Sequence, residues 1–138
     1  MRLSPTLRLG LAILVLFAAT LRVSYGPGVR WVEGYEAAVA QAKASEKPLL
    51  VEFYADWCGP CRLMEATTFR DGKVVRRAES FVPVRVNIDQ RRDLAVKFGV
   101  SSIPYVVVLA PGGEMKADAA GFHTAGQFLQ FLERGLAE

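Results

Sequence analysis

Apolar residues along this chain come in three arrangements, and each change of arrangement marks an element. Leu9 to Leu21 is an apolar stretch without a charge. Between Glu33 and Glu46, Tyr35, Ala38, Val39 and Ala42 recur at helical spacing and predict an amphipathic helix. Glu46-Lys47-Pro48 ends it and leads into the apolar run Pro48 to Ala55, in which Leu49 to Tyr54 predicts a mostly buried strand. Arg62-Leu63-Met64-Glu65-Ala66 then starts a helix, and Arg70-Asp71-Gly72 breaks the pattern. A short helix is expected over Val74 to Glu79 and a second buried strand over Phe81 to Ile88. Gln90 to Phe98 follows as a helix closed by Gly99. Tyr105 to Leu109 is a third apolar run, Pro111-Gly112-Gly113 a hairpin turn, and Glu114 to Ala120 a weak edge strand. Thr124 is the expected N-cap of a last helix, with Phe128, Leu129, Phe131, Leu132 and Leu136 as its buried stripe. The order α-β-α-(α)-β-α-β-β-α implies an α/β domain with a mixed central sheet and helices on both faces.

The first 26 residues stand apart. A basic start (Arg2, Arg8) precedes the apolar stretch, and turn residues follow it. As a helix, the segment between Arg8 and Arg22 would reach roughly 20 Å, short of the ~30 Å hydrocarbon core of a bilayer and within the range of a secretory h-region. Two readings stay open: a signal peptide cleaved near Ser24-Tyr25-Gly26, or an uncleaved anchor over residues 7–25 with its arginines at the interfaces. Either places residues 27–138, one domain joined through Gly26-Pro27-Gly28, outside the cytoplasm.

Composition adds a little. An apolar fraction of 51% supports a real core. The net charge of +3 is carried by Arg2, Arg8 and Arg22 of the leading segment, and the remainder is balanced. Nucleic acid is therefore not an expected partner. Arg76-Arg77 and Arg91-Arg92 read as solvated helix faces.

The chemistry sits between the first strand and the second helix, at Trp57-Cys58-Gly59-Pro60-Cys61. Pro60 suits the first helical turn, where a missing N–H costs nothing. Cys58 then lies at the helix N-terminus, where unpaired N–H groups and the dipole stabilise a thiolate, the reactive form of sulfur. Cys61, almost one turn on, is placed to attack a mixed disulfide on Cys58. A structural bridge here would close too small a loop to stabilise much. A zinc site wants four ligands, and the chain has two cysteines and one histidine. Redox use is the reading adopted, with no metal and no cofactor.

Trp57 to Cys61 is identical to the active-site motif of thioredoxins, and the likeness extends from about Tyr35 to the C-terminus. Tyr54-Ala55-Asp56-Trp57-Cys58 and Thr67-Thr68-Phe69 resemble in particular the thioredoxin-like domains of bacterial envelope thiol–disulfide interchange proteins. The resemblance implies a thioredoxin-like fold. It places Pro104, after Ile103, where the family has a cis-proline facing the cysteines, exposing backbone for a substrate peptide. It places Glu52 where thioredoxins carry a buried aspartate behind the second cysteine, a candidate to deprotonate Cys61. Arg85 falls where a lysine is usual; it offers charge without a relay, and surface or salt-bridge use is expected of it. Trp57 is expected as a packing wall, and His123 as a surface residue. Asp56 and Glu65 would raise the thiol pKa slightly, and Gly59-Pro60 brings no extra cation, which favours a reducing pair.

The function expected is an extracytoplasmic reductase of protein disulfides; the resemblance implies a monomer, with client proteins or apocytochromes as acceptors and a membrane thiol-transfer protein as electron donor. An oxidase or isomerase with the same cysteines is one alternative. A membrane-tethered binding module in which the cysteines are dispensable is the other.

Overall fold

The structure is a computed structural model that describes residues 27–137. The leading segment 1–26, with its signal or anchor reading, lies outside the described residues, as does Glu138.

The elements are α1 (Tyr35–Ser45), β1 (Leu49–Tyr54), α2 (Gly59–Ala66), a 3-10 turn (Thr68–Arg70), α3 (Gly72–Ala78), β2 (Val82–Asn87), α4 (Arg92–Lys97), β3 (Tyr105–Leu109), β4 (Met115–Ala120) and α5 (Ala125–Leu136). The strands lie in the order β2-β1-β3-β4. β1 runs parallel to β2 and antiparallel to β3, and β4 pairs antiparallel with β3 at the edge. This is the mixed sheet that the order of elements implied, in the thioredoxin-like arrangement that the resemblance implied.

Alternation along the strands sorts their side chains onto two faces. Leu49, Val51 and Phe53 share one face with Val82, Val84, Val86, Val107 and Leu109, under Ala38 and Ala42 of α1 and Leu94 of α4. Leu50, Val106 and Val108 face the other way, toward Met64 of α2, Val74 and Ala78 of α3, and Phe128, Phe131 and Leu132 of α5. We call these the α1 face and the α2 face.

Local chemistry explains the helix limits. Asp71 caps α3, its Oδ1 accepting from the N–H groups of Lys73 at 2.8 Å and Val74 at 3.2 Å. The expected break at Asp71 is thus a cap, and α3 starts two residues before Val74. Thr124 caps α5 as expected, in a capping box with Gln127. Gly135 lies inside α5, where glycine is unfavourable. A Cβ there would come within 2.7 Å of Val108 Cγ2, so close packing of α5 on β3 requires it.

Several expectations need correction. Val39 of α1 is exposed; only Ala38 and Ala42 of that helix are buried, because α1 touches the sheet along a narrow line. Leu129 and Leu136 are only partly buried. Arg77 pairs with Glu133, and Arg91 with Glu36 and Asp93, so neither is merely solvated. Residues 29–32, assigned no element in sequence, extend the fold. Val29 N–H donates to Phe69 O at 2.9 Å, Val32 N–H to Pro83 O at 2.8 Å, and Trp31 packs edge-on against Phe69.

Candidate active site

β1 ends in the centre of the sheet, and the chain turns there directly into α2. Cys58 N–H donates to Ala55 O at 3.1 Å, closing that turn. Cys58 is the N-cap of α2, with Pro60 in the first turn as expected, and its Sγ accepts from Cys61 N–H at 3.2 Å. A sulfur so placed takes the role of a capping oxygen, and the helix terminus favours its negative form. Cys58 and Cys61 are joined as a disulfide, their Cα atoms 5.3 Å apart. Cys58 is 4% exposed and Cys61 0%, so of the two residues only the first meets solvent. An added Cβ at Gly59 would meet no atom within 4 Å, so that position is open.

The Ile103–Pro104 bond is cis, and Ile103 packs against the cluster of Ala55, Cys58 and Cys61. Pro104 O accepts from Gly121 N–H at 2.7 Å, which ties this turn to the loop before α5.

Trp57 is not a packing wall. Its side chain is 65% exposed, and its indole N–H donates to Asp89 Oδ2 at 2.8 Å. Asp89 N–H in turn donates to Asn87 Oδ1 at 2.9 Å, and the Asn87 amide reaches Asp56 Oδ2 at 3.4 Å. Asn87 and Asp89 were not singled out in sequence. The available signal was Asn87-Ile88-Asp89 at a strand end, where such side chains bond nearby backbone. His123 is half-buried rather than on the surface, its Nδ1 at 2.8 Å from Gly121 O.

Glu52 is fully buried at the middle of β1, between β2 and β3, which rules out a solvent-facing edge. It lies on the same face as Leu50, the face covered by α2. Its parallel-register partner is Arg85, whose Nε donates to Glu52 Oε2 at 2.5 Å. Arg85 is itself mostly enclosed. Its guanidinium carbon lies 4.0 Å from the Tyr54 ring centroid and 5.7 Å from that of Trp31, and its Nη1 is 3.3 Å from Glu65 Oε1 on α2. Arg85 therefore joins the buried acid of β1 to the helix that carries both cysteines. The salt-bridge use expected of Arg85 is present; Glu65 is engaged by it. Glu52 Oε1 is buried with no hydrogen-bond partner. Burial pushes the Glu52 carboxyl up to about 7, with the Arg85 charge and hydrogen bond acting the other way and Glu65 adding a small upward push. At neutral pH this acid can therefore both hold and release a proton. The site thus combines a Cys58–Cys61 pair on a helix N-terminus with a buried carboxyl in the sheet beneath that helix.

Fold and site define a thiol–disulfide oxidoreductase of the thioredoxin class. The Thioredoxin-like family model matches residues 30–111, and the chain belongs to that family. A thioredoxin of Rickettsia bellii is 32% identical over 93 residues, 67% of this chain and 85% of that protein. The thiol:disulfide interchange protein DsbD of Yersinia enterocolitica is 36% identical over 104 residues, 71% of this chain but 18% of that protein. Among solved structures, a thioredoxin from Thermus thermophilus superposes with a TM-score of 0.71 at 29% identity, covering 78% of this chain and 86% of that one.

Proposed function

We propose that the protein reduces disulfides of client proteins outside the cytoplasm, with Cys58 as nucleophile and Cys61 as resolving thiol. The observation that carries this is the placement of Cys58 as the slightly exposed N-cap of α2, with Cys61 fully buried one turn behind it. In the reduced protein, the Cys58 thiolate attacks one sulfur of a client disulfide and expels the other as a thiolate. Cys61, losing its proton to the Glu52 carboxylate, attacks Cys58 Sγ, forms the Cys58–Cys61 disulfide and expels the second client thiolate. Two electrons pass to the client, and both client thiolates are then protonated. A dithiol donor, the membrane thiol-transfer protein expected above, must return the two electrons, because an oxidising compartment does not.

Supporting this direction, Gly59-Pro60 adds no cation that would make the Cys58 thiolate very stable. The location rests on the sequence pattern of residues 1–26, and the pairing with a membrane donor on the likeness to thiol:disulfide interchange proteins. Pro104 is read as the backbone edge on which a client segment pairs, and Trp57 as part of the rim around it.

Two measurements test the proposal. The reduction potential of the Cys58–Cys61 pair in a dithiothreitol buffer is expected near about −270 mV, whereas a value near about −120 mV makes the protein an oxidant. Cys61→Ser is expected to accumulate mixed disulfides through Cys58. Clients that bind equally well without any trapped adduct would leave only a binding module.

A further inference from the structure

An open groove of about 560 Å³ lies between α2, α3 and the turn before α5. Leu63 and Thr67 line it from α2, Lys73 and Arg76 from α3, and Phe122 and Thr124 from the turn. Three features set it apart from ordinary surface.

The first is its apolar content. Leu63 and Phe122 are 51% and 40% exposed, so two large apolar side chains share one concave surface. The second is its charge. Asp71, the acid in the lining, has its carboxylate engaged in capping α3. Lys73 and Arg76 have no carboxylate partner among the described residues, whereas Arg77, Arg85 and Arg91 each have one. The groove therefore holds two cations close together, and the one acid in its lining is already engaged. The third is its continuity with the disulfide. Leu63 follows Cys58 by five residues on one helix, about 7 Å along the axis and about 140° around it. Phe122 directly follows Gly121, which is hydrogen-bonded to Pro104 beside the cysteines.

We propose that this groove seats the stretch of a client flanking its reacting cysteine, and that it selects an extended segment with an apolar residue followed by acidic ones. The apolar side chain lies against Leu63 and Phe122, and the carboxylates face Lys73 and Arg76. An extended chain advances about 3.3 Å per residue, so the apolar residue falls at least two or three positions from the cysteine joined to Cys58. This inference rests on the reductase reading above and adds a sequence preference to it.

The test uses the reduced protein and synthetic peptide disulfides. One pair of peptides carries Leu and then two Asp, starting three residues after the cysteine, or in the reverse order before it. A matched pair carries Lys in place of Asp, and a third form keeps the Asp pair but separates it from the cysteine by a long Gly-Ser spacer. One of the two acidic orders is expected to be reduced about tenfold faster than its Lys counterpart, as for a complementary charged contact. The spacer form is expected to lose that advantage, and Lys73→Glu combined with Arg76→Glu to reverse it. Equal rates for the Asp and Lys peptides in both orders would overturn the groove and leave the reductase standing. An advantage kept by the spacer form would also overturn it, in favour of long-range attraction. If neither peptides nor a small aryl disulfide are reduced, the reductase reading fails and the groove proposal falls with it.

Discussion

The two faces of the sheet are made from the same strands by the same alternation, yet they do different things. On the α1 face every strand position under the helices is aliphatic or aromatic, and the Phe53 ring lies tilted against Phe98 and Tyr105, with centroids 5.3 and 6.2 Å away. On the α2 face the same strand that supplies Leu50 supplies Glu52 at the next inward position, with Arg85 beside it. The α2 face thus offers a group that can hold a proton near neutral pH, and the apolar α1 layer offers none. Both faces bury a large apolar cluster, but only the α2 face also carries a buried ion pair. The difference teaches that a fold can keep a costly buried acid on one face of a sheet whose two faces both bury an apolar cluster.

The largest effect that would break this comparison is loss of the apolar layer. Phe53→Ala removes a fully buried ring and is expected to cost about 3–5 kcal/mol in urea unfolding. The protein that remains folded is expected to keep its redox potential, because Phe53 points away from α2. A shifted potential would mean that the two faces are not separate in function.

Glu52→Gln sharpens the comparison through pH. The Glu52 carboxyl titrates near 4.5 in the unfolded chain and about 7 in the fold. Between those values the folded protein holds a proton that the unfolded chain has released. The stabilisation is therefore complete at or below about pH 4.5, falls as pH rises through the window, and stays low above about 7. The wild type is expected to lose on the order of 3 kcal/mol between about pH 4.5 and about pH 8, and Glu52→Gln to lose none of that increment. Urea titrations at both pH values measure it, and parallel losses in the two proteins would remove Glu52 as the buried acid at work. The same variant is expected to slow the release of mixed disulfides by about tenfold or more near neutral pH, if Glu52 takes the Cys61 proton.

Smaller changes probe how α5 closes the α2 face. Gly135→Ala pushes a methyl group into Val108 and is expected to destabilise by about 1–3 kcal/mol, although alanine is the better helix former. A stabilised variant in thermal unfolding would show that α5 can move off β3. Thr124→Ala removes half of the capping box and is expected to cost about 1 kcal/mol with no change in potential.

Much of this architecture is legible in the amino-acid order alone. β1 runs from Leu49 to Tyr54, the span its apolar run implies, and the cap of α2 falls on Cys58 because Pro60 suits the first turn of a helix. The less legible parts involve partners distant in sequence. Arg85 meets Glu52 across 33 residues, and Trp57 meets Asp89 across 32. No local periodicity carries such a pairing. Val39 shows the converse failure: its spacing is helical, but spacing cannot say how wide a stripe the sheet will cover.

By itself, the sequence determined the elements, their order, the two-residue spacing of the thiols and the helix end on which they sit. These depend on backbone preferences and on apolar period, which act over a few residues. Only the tertiary structure decided which strand is central, and therefore that Glu52 is buried rather than at an edge. It also decided that Arg85 lies between that acid and α2, and that Leu63 and Phe122 share a groove with the cations of Lys73 and Arg76. Burial, and the proton affinity that follows from it, belongs to the assembled sheet, because desolvation is set by every element packed around a residue and not by its neighbours in the chain.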